Sequence, residues 1–453
     1  MPFLPHESRI WSGVFGDPAL AEIFSEANWL KRVLEVEIAL AGVEARLGLI
    51  PPEAAQAIGQ LAGFTPDWER LARQTERDGV PMAGLVAQLQ AHLGPGYARY
   101  LHLGATTQDI LDTALVLQLR SALELLEERL RKSLQGLARL ARQHLETPMP
   151  GRTHGQQALP VTFGYKVAGW MAPLLRHLER LQTLKERVLV VQMGGAVGTL
   201  AALGPHGVAV MEGLAQALKL KAPLLPWHTA RDHLAELASW LSLLSGSLAK
   251  MAQDVILMAQ NEVGEVHESL EPDRGGSSTL PQKSNPIKSE VIIAAARANA
   301  ALLAAMHQAL IAEHERATHA WQLEWLTLPQ MLAHTGVALN QAVFLSQHLA
   351  VHPARMRANL AASRGLMLAE ALSLALLEHM EPAQAKALVR EAAQVALAEG
   401  RHLLEVVQER VQAPLDWAAL REEAYLGSSR VFTERVLEEA DRLLGQPAEE
   451  GGR

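Results

Sequence analysis

The 453-residue sequence predicts an all-α protein, and three observations carry that expectation. Alanine and leucine dominate while β-branched residues are few, a balance that favours helix over strand. Apolar residues recur at steps of three and four over stretches far longer than a strand. Prolines at Pro51-Pro52, Pro66 and Gly94-Pro95, and again at Pro353, Pro382 and Pro414, punctuate the two end regions into shorter helices.

The clearest periodicity runs from Thr113 to Leu145, where Leu119, Leu123, Leu126, Leu130, Leu134, Leu137 and Leu140 form one apolar stripe. Glu124, Glu127, Glu128, Arg129, Arg131 and Lys132 fall on the other faces. Residues from about 158 to 192, 229 to 263 and 287 to 315 repeat the pattern. Several such helices form a bundle. A thirty-residue helix spans roughly 45 Å, so the bundle is expected to protrude and to pack its spare apolar stripe against other subunits. The punctuation on either side gives three helical domains: residues 1–105, 106–349 and 350–453.

Composition narrows the function. The net charge of −8 argues against an electrostatic nucleic-acid binder. With no cysteine, thiol catalysis, disulfides and thiolate metal sites are excluded. No run of eighteen uncharged apolar residues marks a membrane span. The start, Met-Pro-Phe-Leu-Pro-His-Glu-Ser-Arg, lacks the pattern of a signal peptide. A cytoplasmic location fits these features. The closing Gln-Pro-Ala-Glu-Glu-Gly-Gly-Arg reads as a frayed tail.

Four polar clusters interrupt the helical pattern. The first runs from His102 to Thr113. Its Thr106, Thr107 and Gln108 precede a long helix, where hydroxyls and free N–H groups make either an anion site or an ordinary cap. The second, Gly151-Arg152-Thr153-His154-Gly155-Gln156-Gln157, offers a histidine able to act as a general acid near neutral pH, or a plain polar loop. The third, Arg274 to Glu290, joins Gly275 and Gly276 to Ser277, Ser278, Lys283 and Asn285. It is suited to wrapping an anion, and its composition is also that of a solvated connection. The fourth, Glu313 to Trp325, sets Arg316 to meet a carboxylate, with Trp321 and Trp325 as an apolar wall or as core.

Two lesser signals are set aside. Gly194 to Gly198 follows a helical segment and lacks dinucleotide spacing. His228 and His233 are five apart and so do not share a helical face, which argues against a metal site. No cofactor and no metal are expected.

The segment Gly276–Pro286 resembles the signature loop of the fumarase/aspartase superfamily, Gly-Ser-Ser-x-Met-Pro-x-Lys-x-Asn-Pro, with Leu280 in place of the usual methionine. Thr106–Asp109 and Gly151–Gln156 resemble its two other substrate-site regions, in the same order. The resemblance covers nearly the whole chain. It implies a homotetramer whose long helices form a twenty-helix core, with three subunits contributing to each active site. Within the superfamily the chain is most similar to the 3-carboxy-cis,cis-muconate cycloisomerases, through Phe15–Pro51, His102–Asp109, Pro226–Asp232 and Glu313–Trp325. The adenylosuccinate lyases are next. Where they carry a His-Asp-Val and a phosphate-binding arginine, this chain has Asp78-Gly79-Val80 and Trp325.

The resemblance also implies roles. Ser277 is the base that takes a proton from carbon beside a carboxylate. Lys283 and Asn285 stabilise the resulting dianion. Thr106, Thr107 and Gln108 hold another carboxylate of a small di- or tricarboxylate substrate, with Arg152, Thr153, Ser278 and Arg316 as further contacts. One departure matters: many muconate cycloisomerases lack a histidine where this chain has His154, whereas the lyases keep it. His154 therefore acts either as a general acid, as in a fumarate-releasing C–N lyase, or as a carboxylate ligand.

Overall fold

The computed structural model describes residues 5–268, 284–317, 319–412 and 414–445. It bears out the all-α expectation. A first long helix, α1 (Glu26–Arg46), is capped by the Ser25 hydroxyl, which accepts from the Asn28 N–H. Its buried stripe runs Leu30, Val33, Leu34, Glu37, Leu40, Ala41 and Glu44, so two carboxylates occupy core positions seven residues apart.

The middle of the chain follows. Helix α2 (Thr107–Gln143) is 37 residues long, and each of the seven stripe leucines from Leu119 to Leu140 is buried in it. A hairpin of β1 (Pro148–Thr153) and β2 (Gln156–Thr162) comes next. Then follow α3 (Phe163–Val188), α4 (Asp232–Met258), the short strand β3 (Val266–Glu268), α5 (Ile287–Gln308), α6 (Ala320–His348), β4 (Leu349–Val351) and α7 (Pro353–Ala361). Strands β3 and β4 pair antiparallel, Val266 opposite Val351.

The hairpin corrects the expected helix from about residue 158. Pro148, Pro150 and Pro160 each lack an N–H and disfavour helix in the residue before them. The chain is therefore extended until the Thr162 hydroxyl accepts from the Tyr165 N–H at the start of α3. The apolar repeat across 158–162 belongs to a strand. The fourth cluster differs too: residues 309–317 lie outside any helix, and α6 begins only at Ala320.

Contacts divide the chain into two compact units. One comprises Met1–Glu128, His177–Gly246 and Ala294–Val337; the other comprises Arg129–Arg176, Ser247–Ile293 and Ala338–Arg453. The five helices α2 to α6 each contribute residues to both. The first unit has a core built on α1, with Leu34, Leu40, Ile58, Leu85, Ile110 and Leu214 among its members. The second has a separate core in which Leu368, Leu372, Leu376, Val389 and Leu403 pack together.

Helix α5 is long and apolar enough, by length and composition alone, to cross a membrane. It carries Lys288, Glu290 and Arg297, however, and its buried Asn299 donates to the Ser245 hydroxyl at 3.2 Å and to the Thr335 hydroxyl at 2.9 Å. A buried amide nitrogen shared between two neighbouring helices is a feature of protein packing, although the Asn299 Oδ1 finds no hydrogen-bond partner among the described residues.

Candidate active site

In the first unit the polar residues gather at the N-terminus of α2. Thr106 is the residue that caps it: its carbonyl accepts from the Asp109 N–H at 3.0 Å, and the Asp109 carboxylate reaches back to the Thr106 N–H, also at 3.0 Å. The second bond is the acid's half of a capping box, while the first is made by the Thr106 backbone. Asp109 does more than cap. Its two oxygens also accept from the backbone N–H groups of Gly194 and Gly195, both at 2.9 Å, and from the Gln192 side chain at 3.3 Å. They also bond the His228 Nε2, at 2.7 Å. The glycines thus serve a protein carboxylate. A Cβ on Gly194 would lie 2.9 Å from the His228 ring, and Gly195 has φ +67°, so neither position tolerates a larger residue easily.

Gln108 is buried, and its amide donates to the His228 carbonyl at 3.0 Å. Arg316 lies at the same place: its guanidinium donates to the carbonyls of Gly195 (3.2 Å) and Ala196 (2.7 Å) and approaches the Gln108 Oε1 at 3.5 Å. The structure therefore brings Thr106, Thr107, Gln108 and Arg316 together. Thr106 and Thr107 remain partly exposed at the helix N-terminus, where the dipole and free N–H groups favour an anion.

One turn along α2, Asp112 belongs to a buried ion triad. The Arg231 guanidinium is clasped between Asp112 and Glu324, and the Trp321 indole N–H donates to Asp112 at 3.0 Å. Burial works against the Arg231 charge, but the two carboxylates outweigh it and hold the group firmly protonated. Burial pushes the Glu324 carboxyl above its ordinary value against the pull of Arg231. Burial and then Arg231 lower the His233 imidazole to about 4, so it is neutral at physiological pH. At His102, burial disfavours the imidazolium. The Glu37 carboxylate at 2.6 Å and the charge of Asp109 overcome that and raise its pKa.

Beside the triad a cavity of about 340 Å³ is lined by Phe24, Trp29, Leu111, Leu115 and Trp325 among others. Its charged lining residues are Glu26 and Asp112; none is a cation.

The second unit carries the hairpin. Thr153 pairs with Gln156, and the two residues between them, His154 (φ 51°) and Gly155 (φ 75°), both have positive φ, as a type I′ turn requires. A histidine held in the left-handed region is strained, and strain of this kind gathers at functional sites. His154 is exposed at the hairpin tip. A bulge at Gly151 shifts the register between Pro150 and Arg152, and a Cβ on Gly151 would meet the Leu159 carbonyl at 2.8 Å. Arg152 is bound in a bidentate pair with the fully buried Glu265, at 2.8 and 2.6 Å. Thr153 is exposed beside His154.

Asn285 lies just before α5, its carbonyl accepting from the Ile287 N–H at 2.9 Å. Glu268, at the end of β3, accepts from the N–H groups of Lys288 and Ser289 and from the Ser289 hydroxyl, at 3.1, 2.8 and 2.8 Å. It caps the helix from twenty residues upstream. Ser277, Ser278 and Lys283 lie outside the described residues. Among the described residues, no group of three or more His, Asp or Glu side chains is placed to hold a metal.

Asp109, Arg231, Glu324 and Glu265 were given no role from the sequence, and His228 was weighed only as a metal ligand. Only Asp109 left a signal, an acid three residues after a capping threonine. The others find their partners across 93 to 119 positions of sequence, which no local pattern reveals.

Comparison with known proteins matches this architecture to a named family. A family described as Lyase matches residues 15–299. The chain is 40% identical to trans-aconitate decarboxylase 1 of Mycosarcoma maydis, over 96% of this chain and 90% of that protein. It is 42% identical to a 3-carboxy-cis,cis-muconate cycloisomerase of Pseudomonas aeruginosa, over 97% of this chain and 98% of that one. The solved 3-carboxy-cis,cis-muconate lactonizing enzyme of Pseudomonas putida superposes with a TM-score of 0.91 at 42% identity, covering 96% of this chain and all of that one. Identity of this level over nearly the full length shows that the chain belongs to the lyase family of the fumarase/aspartase superfamily, as a cycloisomerase-like enzyme.

Proposed function

We propose that the protein converts 3-carboxy-cis,cis-muconate to 4-carboxymuconolactone, in the protocatechuate branch of aromatic breakdown. The observation that carries this reading is the near-full-length match, at 42% identity, to proteins named for that reaction. The cavity beside α2 supports it. With two carboxylates and no cation in its lining, and Trp325 among its walls, it offers nothing to hold a nucleotide phosphate; the substrate's own carboxylates belong at the α2 N-terminus, and only its apolar carbon skeleton suits this cavity.

In the proposed reaction a carboxylate oxygen of the substrate bonds to an alkene carbon. The alkene electron pair moves to the neighbouring carbon beside a second carboxylate, and that carbon takes a proton. Charge develops on the second carboxylate as a dianion, which fixed donors and positive charge must stabilise. Lys283 and Asn285 are assigned that task, and Ser277 delivers the proton, acting as the base in the reverse direction. Ser278 and Thr153 complete the substrate contacts, while Arg152 acts on the hairpin through its pair with Glu265 rather than on the substrate. Thr106 and Thr107 hold a further carboxylate at the α2 N-terminus, with Gln108 and Arg316 shaping the floor. The functional unit is a cytoplasmic homotetramer that shares its sites between subunits, and the three-part division 1–105, 106–349 and 350–453 is the one it is built from.

A second reading rests on His154. The leaving group of the reverse cycloisomerisation is a carboxylate, whose conjugate acid has a pKa of about 4 and needs no acid catalyst. A strained, exposed histidine suits an enzyme whose leaving group must be protonated, such as a fumarate-releasing C–N lyase. Diene absorbance with 3-carboxy-cis,cis-muconate, run beside adenylosuccinate, separates the two. Loss of the diene signal supports the cycloisomerase; fumarate released from the amino-linked substrate with the diene untouched refutes it. Ser277→Ala is expected to abolish turnover.

A further inference from the structure

We propose that Glu265 is a positioning residue that holds the His154 hairpin in its working geometry. The inference rests on the reading that His154 touches substrate. Glu265 is fully buried, and both its backbone and its carboxylate are committed. Its N–H donates to the Met258 carbonyl at the end of α4, at 2.9 Å, and its carbonyl accepts from the His352 N–H just before α7, at 3.0 Å. The backbone is therefore fixed from two sides. The carboxylate then takes both guanidinium nitrogens of Arg152, and Oε1 also accepts from the Asn359 side chain at 2.9 Å. Asn359 in turn donates to the Val263 carbonyl at 2.8 Å.

Arg152 is two residues before His154 on β1, and a fork-shaped pair fixes orientation as well as distance. The register shift at Gly151 re-aims β1 immediately before Arg152. One acid thus anchors the strand that ends in the strained turn, and it does so from the residue immediately before β3. Without the carboxylate charge, Arg152 would be a half-buried cation with no ionic partner, and it would turn towards solvent and take the strand with it.

The test is a double-mutant cycle between Glu265→Gln and His154→Ala in the full chain. Glu265→Gln is expected to lower kcat/KM by roughly tenfold to a hundredfold, the penalty of a small misplacement, while circular dichroism and assembly state stay unchanged. In the His154→Ala background the same substitution should cost less than about twofold, because residues that act as a unit are not additive. Hydrogen exchange across residues 148–162 should rise in Glu265→Gln, a readout that needs no substrate. Asn359→Ala, which keeps the ion pair, is the milder variant if Glu265→Gln fails to fold; its smaller loss should likewise vanish beside His154→Ala. Equal losses in both backgrounds, or unchanged hydrogen exchange, overturn the positioning role alone. Full turnover in His154→Ala overturns the reading of His154 and the inference with it.

Discussion

The stripe of α1 contains a carboxyl group that should make the stability of the first unit fall with rising pH. Glu44 is completely buried, and neither carboxylate oxygen has a hydrogen-bond partner. Burial, and then repulsion from Glu37, push its pKa from 4.5 to about 8. The unfolded chain therefore loses this proton near pH 4.5 while the folded chain keeps it to about 8. Across that window of 8 − 4.5 = 3.5 units, each unit removes about 1.4 kcal/mol, or about 5 kcal/mol in total. Stability from this group is fully present below pH 4.5, is lost progressively up to about 8, and is flat beyond. Glu44→Gln removes the titration but leaves a buried polar group, so its diagnostic effect is on slope, whatever the offset. Hydrogen exchange of a peptide spanning α1, compared between Glu44→Gln and the parent at the same pH, cancels the intrinsic pH dependence of exchange. The ratio of protection, variant over parent, should climb by about tenfold per unit between pH 5 and 8 wherever exchange requires α1 to open fully. A flat ratio over that range would refute the buried neutral acid.

Two further outcomes follow from the sites. Arg231→Met strands Asp112 and Glu324 in the interior and should destabilise the first unit by about 3–5 kcal/mol; in thermal denaturation the loss should be smaller at pH 5 than at pH 8, because Glu324, already raised, can take a proton. His154→Asn should leave stability unchanged or raise it by up to about 1 kcal/mol, since asparagine tolerates the left-handed turn better, while turnover falls; a clear drop in denaturation midpoint would show that the histidine is not strained.

The helical architecture was legible because it is written locally. The leucines from Leu119 to Leu140 declare their common face by spacing alone, and the threonines at 106 and 107 mark where that helix begins. The end of β2, from about residue 158, reads as helix because its apolar residues imitate a helical repeat for a few positions, and within it only the proline at 160 objects. Signature residues such as Ser277 and Lys283 were found by resemblance, since a Gly/Ser/Pro run by itself is equally a connecting loop.

The polar residues lay beyond any such reading. Nothing local says that the Gly194–Gly195 amides serve Asp109, that Arg231 is shared by two acids, or that Arg152 is neutralised by Glu265. The sequence by itself determined where the long helices run, apart from their ends near residues 158 and 309, and which side chains could carry chemistry, because periodicity and capping act over a few residues. Only the tertiary structure decided which of those side chains are spent on one another and which, like Thr106, Thr107 and His154, keep an exposed face. Pairing of buried charge depends on what lies across the fold, and burial is a property of the whole chain.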